Sequence, residues 1–429
     1  MIEVHGRTDA LFATPSQQGL ATRAAQLLDT KLIQSALVEV YKVAKNQPQA
    51  RLQSGARTLH QAMQELAFAF VIRNLNANPL RPQILWDQNP PHLFDDIPIP
   101  GSRAIGNNPD NIYRRIPLDH EQQYRLHGQL LGPPAPDVRF SVLPDYSMQA
   151  QWQQTTLALS DIDIDANGQF ELTLNKRPAA TREKNHVQLA PGTARMTIRE
   201  SMSNWATGTP MALDIVRETP GHTSNIEAEI TATDLAARLP AFAEHWLTFN
   251  NNNYYAHPSN ALPKNEKPPG GLSGQTSAMG NYALAPDEVL IITARRLDAR
   301  YFSFAVMDPW MRCANFEQQT VSLTADQALA DRDGVYTIVV ALQDPGVHNW
   351  LDAGGLSEGA LQIRWQGIPA GLPPASDFFA VKKAGLDQLD SLLPEGTIRV
   401  GPDERAAMLA TRKQAFERRF LLRSHRENA

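Results

Sequence analysis

Cysteine is almost missing from this chain: Cys313 stands alone among 429 residues. A single cysteine excludes an intramolecular disulfide framework and any Cys-rich zinc or iron–sulfur site. Long apolar runs are missing too. The longest, Leu66 to Ile72, falls far short of the roughly 20 residues a spanning helix needs. The first residues, Met1-Ile-Glu-Val-His-Gly-Arg-Thr, have no basic segment followed by an apolar one and do not read as a secretory signal. These absences predict a soluble, cytoplasmic protein with no membrane partner. Aromatic residues make up 7% and are not interleaved with basic ones, and the net charge is −5. No nucleic-acid partner is expected from that balance. No Gly-x-Gly-x-x-Gly follows a strand pattern and no Walker loop occurs, so no nucleotide cofactor is expected.

Hydrophobic residues make up 42% and charged residues 20%, enough to bury a large core. Three patterns divide the chain. Residues 1–78 read as helices. Leu52, Ala56, Leu59, Met63, Leu66 and Phe70 form one apolar stripe at steps of four and three. Upstream, Leu20, Ala24, Leu27, Leu28 and Leu32 share one face, while Ile33, Leu37, Val40, Tyr41 and Ala44 share the opposite one. Either the helix breaks near Thr30 or it is buried on two sides. Residues 79–106 form a Pro-rich connection. From 107 to 369 the period becomes two, with turns such as Asp165-Ala-Asn167-Gly168 and Asp331-Arg-Asp333-Gly334. One helix interrupts the strands near 233–249, and a loop rich in Asn, Pro and Gly follows from Asn250 to Gly280. Residues 370–429 return to helix, opening at Gly401-Pro402-Asp403-Glu404 and carrying Arg418, Arg419 and Arg423 near the end. The expected fold is α+β: an antiparallel β-sandwich or jelly-roll-like core, N-terminal helices packed on it, and a C-terminal helical tail. The unmatched apolar face of the helices needs a partner. The sandwich is favoured, with a homodimer through the helices as the alternative.

Four stretches, in order, carry a resemblance. They are Asn107-Asn-Pro-Asp-Asn-Ile-Tyr113-Arg114, Met196-Thr-Ile-Arg199 through Trp205, Tyr301-Phe-Ser-Phe-Ala-Val-Met-Asp308-Pro-Trp310-Met, and Asp344-Pro-Gly-Val-His348-Asn349-Trp350-Leu-Asp352. Together they resemble a bacterial family carrying a domain of unknown function, number twelve-fourteen, over roughly residues 100–420. The resemblance implies a β-sandwich-like domain with helical flanks and carries no established activity. Asn204 and Asp308 depart from its pattern, which has an acid and an asparagine there.

Several motifs have bland readings. Gly355-Leu-Ser357-Glu-Gly359 fits a nucleophile elbow, but a strand follows it instead of a helix. Asp161-Ile-Asp163-Ile-Asp165 begins like a calcium loop, but Ala166 and Leu172 occupy the ligand positions that follow. None of the histidines, His120 and His127 included, has metal-ligand spacing, and no metal is expected.

The sharpest candidate is the last motif. His348 and Asp352, four apart, could hydrogen-bond and make the imidazole a general acid or base, with Asp344 as the other orienting acid. Tyr113, Arg114, Arg199, Asn349, Trp310 and Trp350 are the candidate substrate-binding groups, with Arg114 or Arg199 anchoring an anion. Tyr113 and Arg114 fall on opposite strand faces, so only one can enter a given pocket. This predicts a cofactor-independent hydrolase or lyase acting on a small, largely apolar metabolite. The alternative is a carbohydrate- or ligand-binding sandwich, with Trp205, Trp310 and Trp350 as stacking platforms. A buried titratable group with a shifted pKa in a pocket would favour the enzyme. Exposed, coplanar aromatics would favour the binding module.

Overall fold

Thr30 breaks the first apolar pattern in two. Its side chain caps the second helix by accepting from the Ile33 amide, so the apolar face restarts on a new axis. The helices are α1 (Pro15–Leu28), α2 (Lys31–Lys45) and α3 (Gln53–Leu75). The computed structural model describes residues 12, 14–94, 97–144, 155–180, 183–219, 230–265, 274–368 and 378–420. Arg423, His425 and the middle of the Asn250–Gly280 loop lie outside the described residues.

The Pro-rich connection supplies three short strands, β1 (Leu85–Asp87), β2 (His92–Phe94) and β3 (Ile97–Ile99). A first run of strands follows: β4 (Asn111–Asp119), β5 (Tyr124–Gln129), β6 (Asp137–Pro144), β7 (Thr155–Ala158), β8 (Gln169–Asn175), β9 (His186–Gln188), β10 (Thr193–Ser201) and β11 (Ala212–Arg217). Helix α4 (Ala232–Asn250) comes next, capped by Thr231 and Asp234. A second run comprises β12 (Lys264–Asn265), β13 (Gln275–Ala283), β14 (Glu288–Arg295), β15 (Tyr301–Met307), β16 (Ser322–Thr324), β17 (Val335–Ala341), β18 (Trp350–Asp352), β19 (Glu358–Gln366) and β20 (Phe379–Gly385). The chain closes with α5 (Leu389–Leu392) and α6 (Pro402–Phe420). The tail therefore begins with a strand, β20, before it turns helical.

These strands build two sandwiches of the same topology. The first has sheets β1-β4-β10-β6-β7 and β11-β5-β8-β9; the second has β12-β13-β19-β15-β16 and β18-β17-β14-β20. The register matches as well as the order. Leu126 sits between Leu172 and Ile215, as Ile292 sits between Ile338 and Val381. Ile198 sits between Arg114 and Phe140, as Ile363 sits between Ala278 and Phe304. Each copy has one parallel pair, β8 with β9 and β17 with β18. The turns before β8 and β17 are also alike. Asp165 accepts from the amides of Asn167 and Gln169, and Asp331 from those of Asp333 and Val335. Gly168 and Gly334 take φ of 79° and 74°, which favours glycine. The β region is thus a tandem repeat with an offset of about 165 residues.

The helices cover one end of this pair. Helices α1–α4 share an apolar cluster that includes Leu66, Phe70, Phe242, Trp246 and Trp310. The unmatched helical face is covered within the chain by α4, by the Pro-rich connection and by Trp310 of the second sandwich. Trp310 donates to the Gly55 carbonyl at 2.9 Å, joining the second sandwich to the first turn of α3. Glu65, inside the apolar stretch of α3, binds Arg103 at 2.6 Å and Arg312 at 2.7 Å, all three buried. Among the described residues no helix is long and apolar enough to cross a membrane.

Candidate functional site

The structure takes the His348–Asp352 motif apart. His348 reaches the Gln327 carbonyl with its Nε2 at 3.1 Å, and Asp352 accepts from the Gly354 amide at 2.7 Å. The two side chains serve different surfaces: His348 precedes β18 and faces the groove beside Leu329 and Ile398, while Asp352, at the end of β18, faces the pocket under α3. Asp344 is not free to orient His348. Arg405 of α6 holds it at 2.9 Å and also covers the Trp350 ring at 5.1 Å. Trp350 is 7% exposed and donates to the Ala341 carbonyl. Asn349 donates to the carbonyls of Leu329 and Thr337. Most of this motif is a corner clasped by the C-terminal helix, and Asp352 leaves it toward α3.

The other predicted residues are dispersed. Arg114 turns into the first sandwich, 3.0 Å from Glu200, and donates to the Met211 carbonyl. Tyr113 and Arg199 lie side by side on the opposite face of that sheet. Trp205, Trp310 and Trp350 are 2%, 4% and 7% exposed, too buried to act as stacking platforms. Ser357 donates to Glu358 beside Ser54, with no histidine partner among the described residues. Asp163 pairs with Lys184, while Asp165 shapes its turn. Among the described residues, no group of three or more His, Cys, Asp or Glu is placed to hold a metal ion.

Two concave sites among the described residues take up parts of this motif. A groove of about 630 Å³ on the second sandwich is lined by Asp331, Thr337, His348, Asn349 and Glu395 among others. Its His348 and Asn349 are tied to backbone, and Asp331 is consumed by its turn. The second site, about 380 Å³, lies between α3 and the end of the second sandwich. Arg57, Thr58 and Gln61 come from α3; Tyr282, Asp308, Gln319 and Asp352 come from the sandwich and its loops. Two of the four stretches singled out in the sequence reach this site, at Asp308 and at Asp352.

The chemistry of this second site is specific. Burial pushes the Asp352 carboxyl above the usual carboxylate range, and nearby Asp344 adds to it; the Gly354 amide and Arg405 oppose without cancelling the rise. Tyr282 projects its hydroxyl over Gly359, where an added Cβ would lie 2.6 Å from the oxygen. Burial and the acids Asp308, Asp352 and Glu358 drive that hydroxyl strongly toward its protonated form, so it can donate but not ionise. Arg57 is anchored on the Gly355 carbonyl at 2.7 Å. Asp308 is occupied by Arg312 at 2.9 Å and by the Trp310 and Arg312 amides. A carboxyl of raised pKa, a neutral hydroxyl donor and a guanidinium thus line one pocket.

The repeat shows that the fold does not require these groups. Gln188 holds the place of Asp352, each ending a parallel strand pair opposite Asn175 and Ala341 respectively. Leu118 holds the place of Tyr282. Both sandwiches form, and only the second carries the carboxyl and the hydroxyl. Sequence reasoning reached Asp352 but missed Tyr282 and Arg57, whose Tyr-x-x-x and helix-surface settings carry no motif. The repeated Asp-x-[Asn/Asp]-Gly turns were the available signal that the two halves could be compared.

No family model matches the chain, and no curated protein matches it. Among solved structures, an uncharacterized protein from Burkholderia cenocepacia is similar, with a TM-score of 0.69 and 21% identity over 85% of this chain and 99% of that one. The VPA0106 protein from Vibrio parahaemolyticus aligns at a TM-score of 0.38 and 9% identity, over 65% of this chain and 90% of that one. The chain shares its fold with the Burkholderia protein.

Proposed function

We propose that this chain is a cofactor-independent enzyme of the hydrolase or lyase type, with Asp352 as the group that donates and accepts the proton. The carrying observation is the Asp352 carboxyl, held above its ordinary range by burial in a pocket that also holds the Tyr282 hydroxyl and Arg57. A raised carboxyl keeps a proton closer to neutral pH and is a better acid–base catalyst there. Arg57 suits a carboxylate or developing oxyanion, and Tyr282 suits a carbonyl or ester oxygen. The substrate is a small molecule. Thr58, Gln61, Asn315 and Gln319 make its pocket more polar than an apolar metabolite would require. A cytoplasmic setting fits the single, buried free thiol of Cys313. The four sequence stretches make the domain of unknown function twelve-fourteen the family to compare.

Incubation with a small-metabolite extract, followed by mass spectrometry, tests the reading. The wild type should convert at least one compound, and Asp352→Asn should slow that conversion at least a hundredfold while remaining folded. Tyr282→Phe should slow it less. Conversion at the wild-type rate by Asp352→Asn contradicts the assignment.

A further inference from the structure

The two sandwiches meet through the outer faces of their five-stranded sheets, and they meet about like positions. Ser201 donates to Gln366 at 2.8 Å. Counted from the matched Ile198 and Ile363, these two residues hold the same place in β10 and β19. Contact between equivalent positions is what a twofold axis produces, here between two repeats of one chain. Tyr301 also crosses the interface, donating to Asp110 at 2.7 Å and accepting from Asn108 at 2.8 Å.

Two residues back from that contact, each strand carries an arginine: Arg199 in the first copy, Arg364 in the second. Both present a buried Nη1 with no hydrogen-bond partner among the described residues. Neither makes an ion pair among them. Arg364 is 4% exposed, and its guanidinium donates from Nη2 to the Gly106 carbonyl at 3.0 Å. Arg199 keeps some accessible surface yet lies deep enough that burial lowers its pKa to about 10, helped by Arg115 and opposed by Tyr113.

The acids around them are already committed. Asp87 is shared by Arg73 and Arg115. Asp137 is shared by Arg139 and Arg300. Asp110 accepts from Trp205, Tyr301 and Ser322. Two tyrosines accompany the arginines, Tyr113 opposite Arg199 in the neighbouring strand and Tyr254 near Arg364. The Tyr113 hydroxyl accepts from the Asn108 amide, leaving its own proton to give. Tyr254 lies within the electrostatic reach of both Arg364 and Tyr113. Its hydroxyl donates to Gln362, leaving its oxygen free. A buried guanidinium without a counter-ion is costly, and two at matched positions make a positive interior in a chain of net charge −5.

We propose that Arg199 and Arg364, with Tyr113 beside them, form an internal site between the sandwiches for a small anion of the carboxylate or phosphate class. It uses residues separate from the Asp352 pocket and stands whether or not that pocket is catalytic.

Native mass spectrometry of the full-length wild type, Arg199→Met and Arg364→Met is the first arm. Titration of the dialysed proteins with malonate and with inorganic phosphate, at ionic strength fixed with chloride, is the second, read by calorimetry and melting temperature. The expected result is either a retained adduct in the wild type that both variants lose, or saturable binding that each variant weakens at least tenfold. Malonate binding more tightly than phosphate assigns a carboxylate, and the reverse assigns a phosphate. If one variant fails to fold, the other carries the comparison. A wild type with neither adduct nor saturable binding overturns the proposal, as does an adduct or affinity that both variants keep.

Discussion

The Arg412 guanidinium lies 4.1 Å from the centre of the Trp205 ring. One residue comes from the C-terminal helix α6 and the other from the loop after β10, so this contact fastens the last element of the chain to the first sandwich. Arg412 also donates to the Phe316 carbonyl at 2.7 Å and to the Ser322 carbonyl and hydroxyl. Ser322 and Trp205 in turn both donate to Asp110. Replacing Arg412 by Leu removes the cation over the ring and orphans two buried carbonyls. The expected loss is about 3 kcal/mol of stability, combining a desolvated cation–π contact with unsatisfied acceptors. Urea unfolding of Arg412→Leu measures it, and an unchanged midpoint would contradict the clasp.

Glu65 is the hinge between helices and sandwiches. Its carboxylate neutralises Arg103 and Arg312, and Asp308 completes the chain of charges. Glu65→Ala leaves two buried guanidiniums short of a partner, and breaking such a pair costs about 3–5 kcal/mol. A drop of that size in guanidinium chloride unfolding is expected. Glu65→Ala should cost more than Met63→Ala on the same helix if charge, not packing alone, holds α3 in place.

Three histidines make the fold sensitive to mild acid, and burial alone lowers the pKa of one of them, His245. Burial lowers the pKa of His92 against a hydrogen bond to the Pro90 carbonyl. Burial also lowers that of His186, with Arg177 adding to it and Glu183 opposing. A depressed folded-state pKa means the unfolded chain takes up protons first. Stability is therefore full above the unfolded value, about 6.5, and is lost as pH falls toward the folded values. Melting temperature should decline between pH 7 and pH 5. The double variant His92→Gln/His186→Gln should reduce that decline, leaving the share of His245, and an equal decline in the variant would contradict it.

The repeat explains what could be read from the chain and what could not. The stripe from Leu52 to Phe70 and the period-two segments gave most helices and strands. Thr30 could be seen as a break because a capping threonine sits between two opposed apolar faces. The duplication stayed hidden because its copies share register and burial without sharing residues: Phe170 answers to Tyr336, Leu172 to Ile338, Tyr282 to Leu118. Glu65 was masked by the apolar residues around it. Asp352 was legible as a candidate. His348 and Asp344 read as its partners only because sequence spacing cannot show a strand beginning between them or an arginine arriving from Arg405, far along the chain.

Removing the Asp352 charge has an unusual expected sign. A carboxyl whose folded pKa is raised is destabilising once ionised, and the penalty is complete above that folded value. Asp352→Asn should therefore be as stable as the wild type or more so at pH 7. The difference should shrink as pH falls through the folded pKa toward the ordinary aspartate value of about 3.9. A variant that is less stable at pH 7 would mark Asp352 as a structural anion instead.

The measurement closest to the central claim is the ionisation of Asp352 itself. Carbon-13 detection of the side-chain carboxyls, with Asp352→Asn to assign the signal, follows it directly across pH. The account predicts a midpoint above about 3.9, the ordinary aspartate value, that falls when Asp344→Asn removes the neighbouring charge. A midpoint at or below the ordinary value would leave the pocket without its proton carrier and contradict the proposed chemistry.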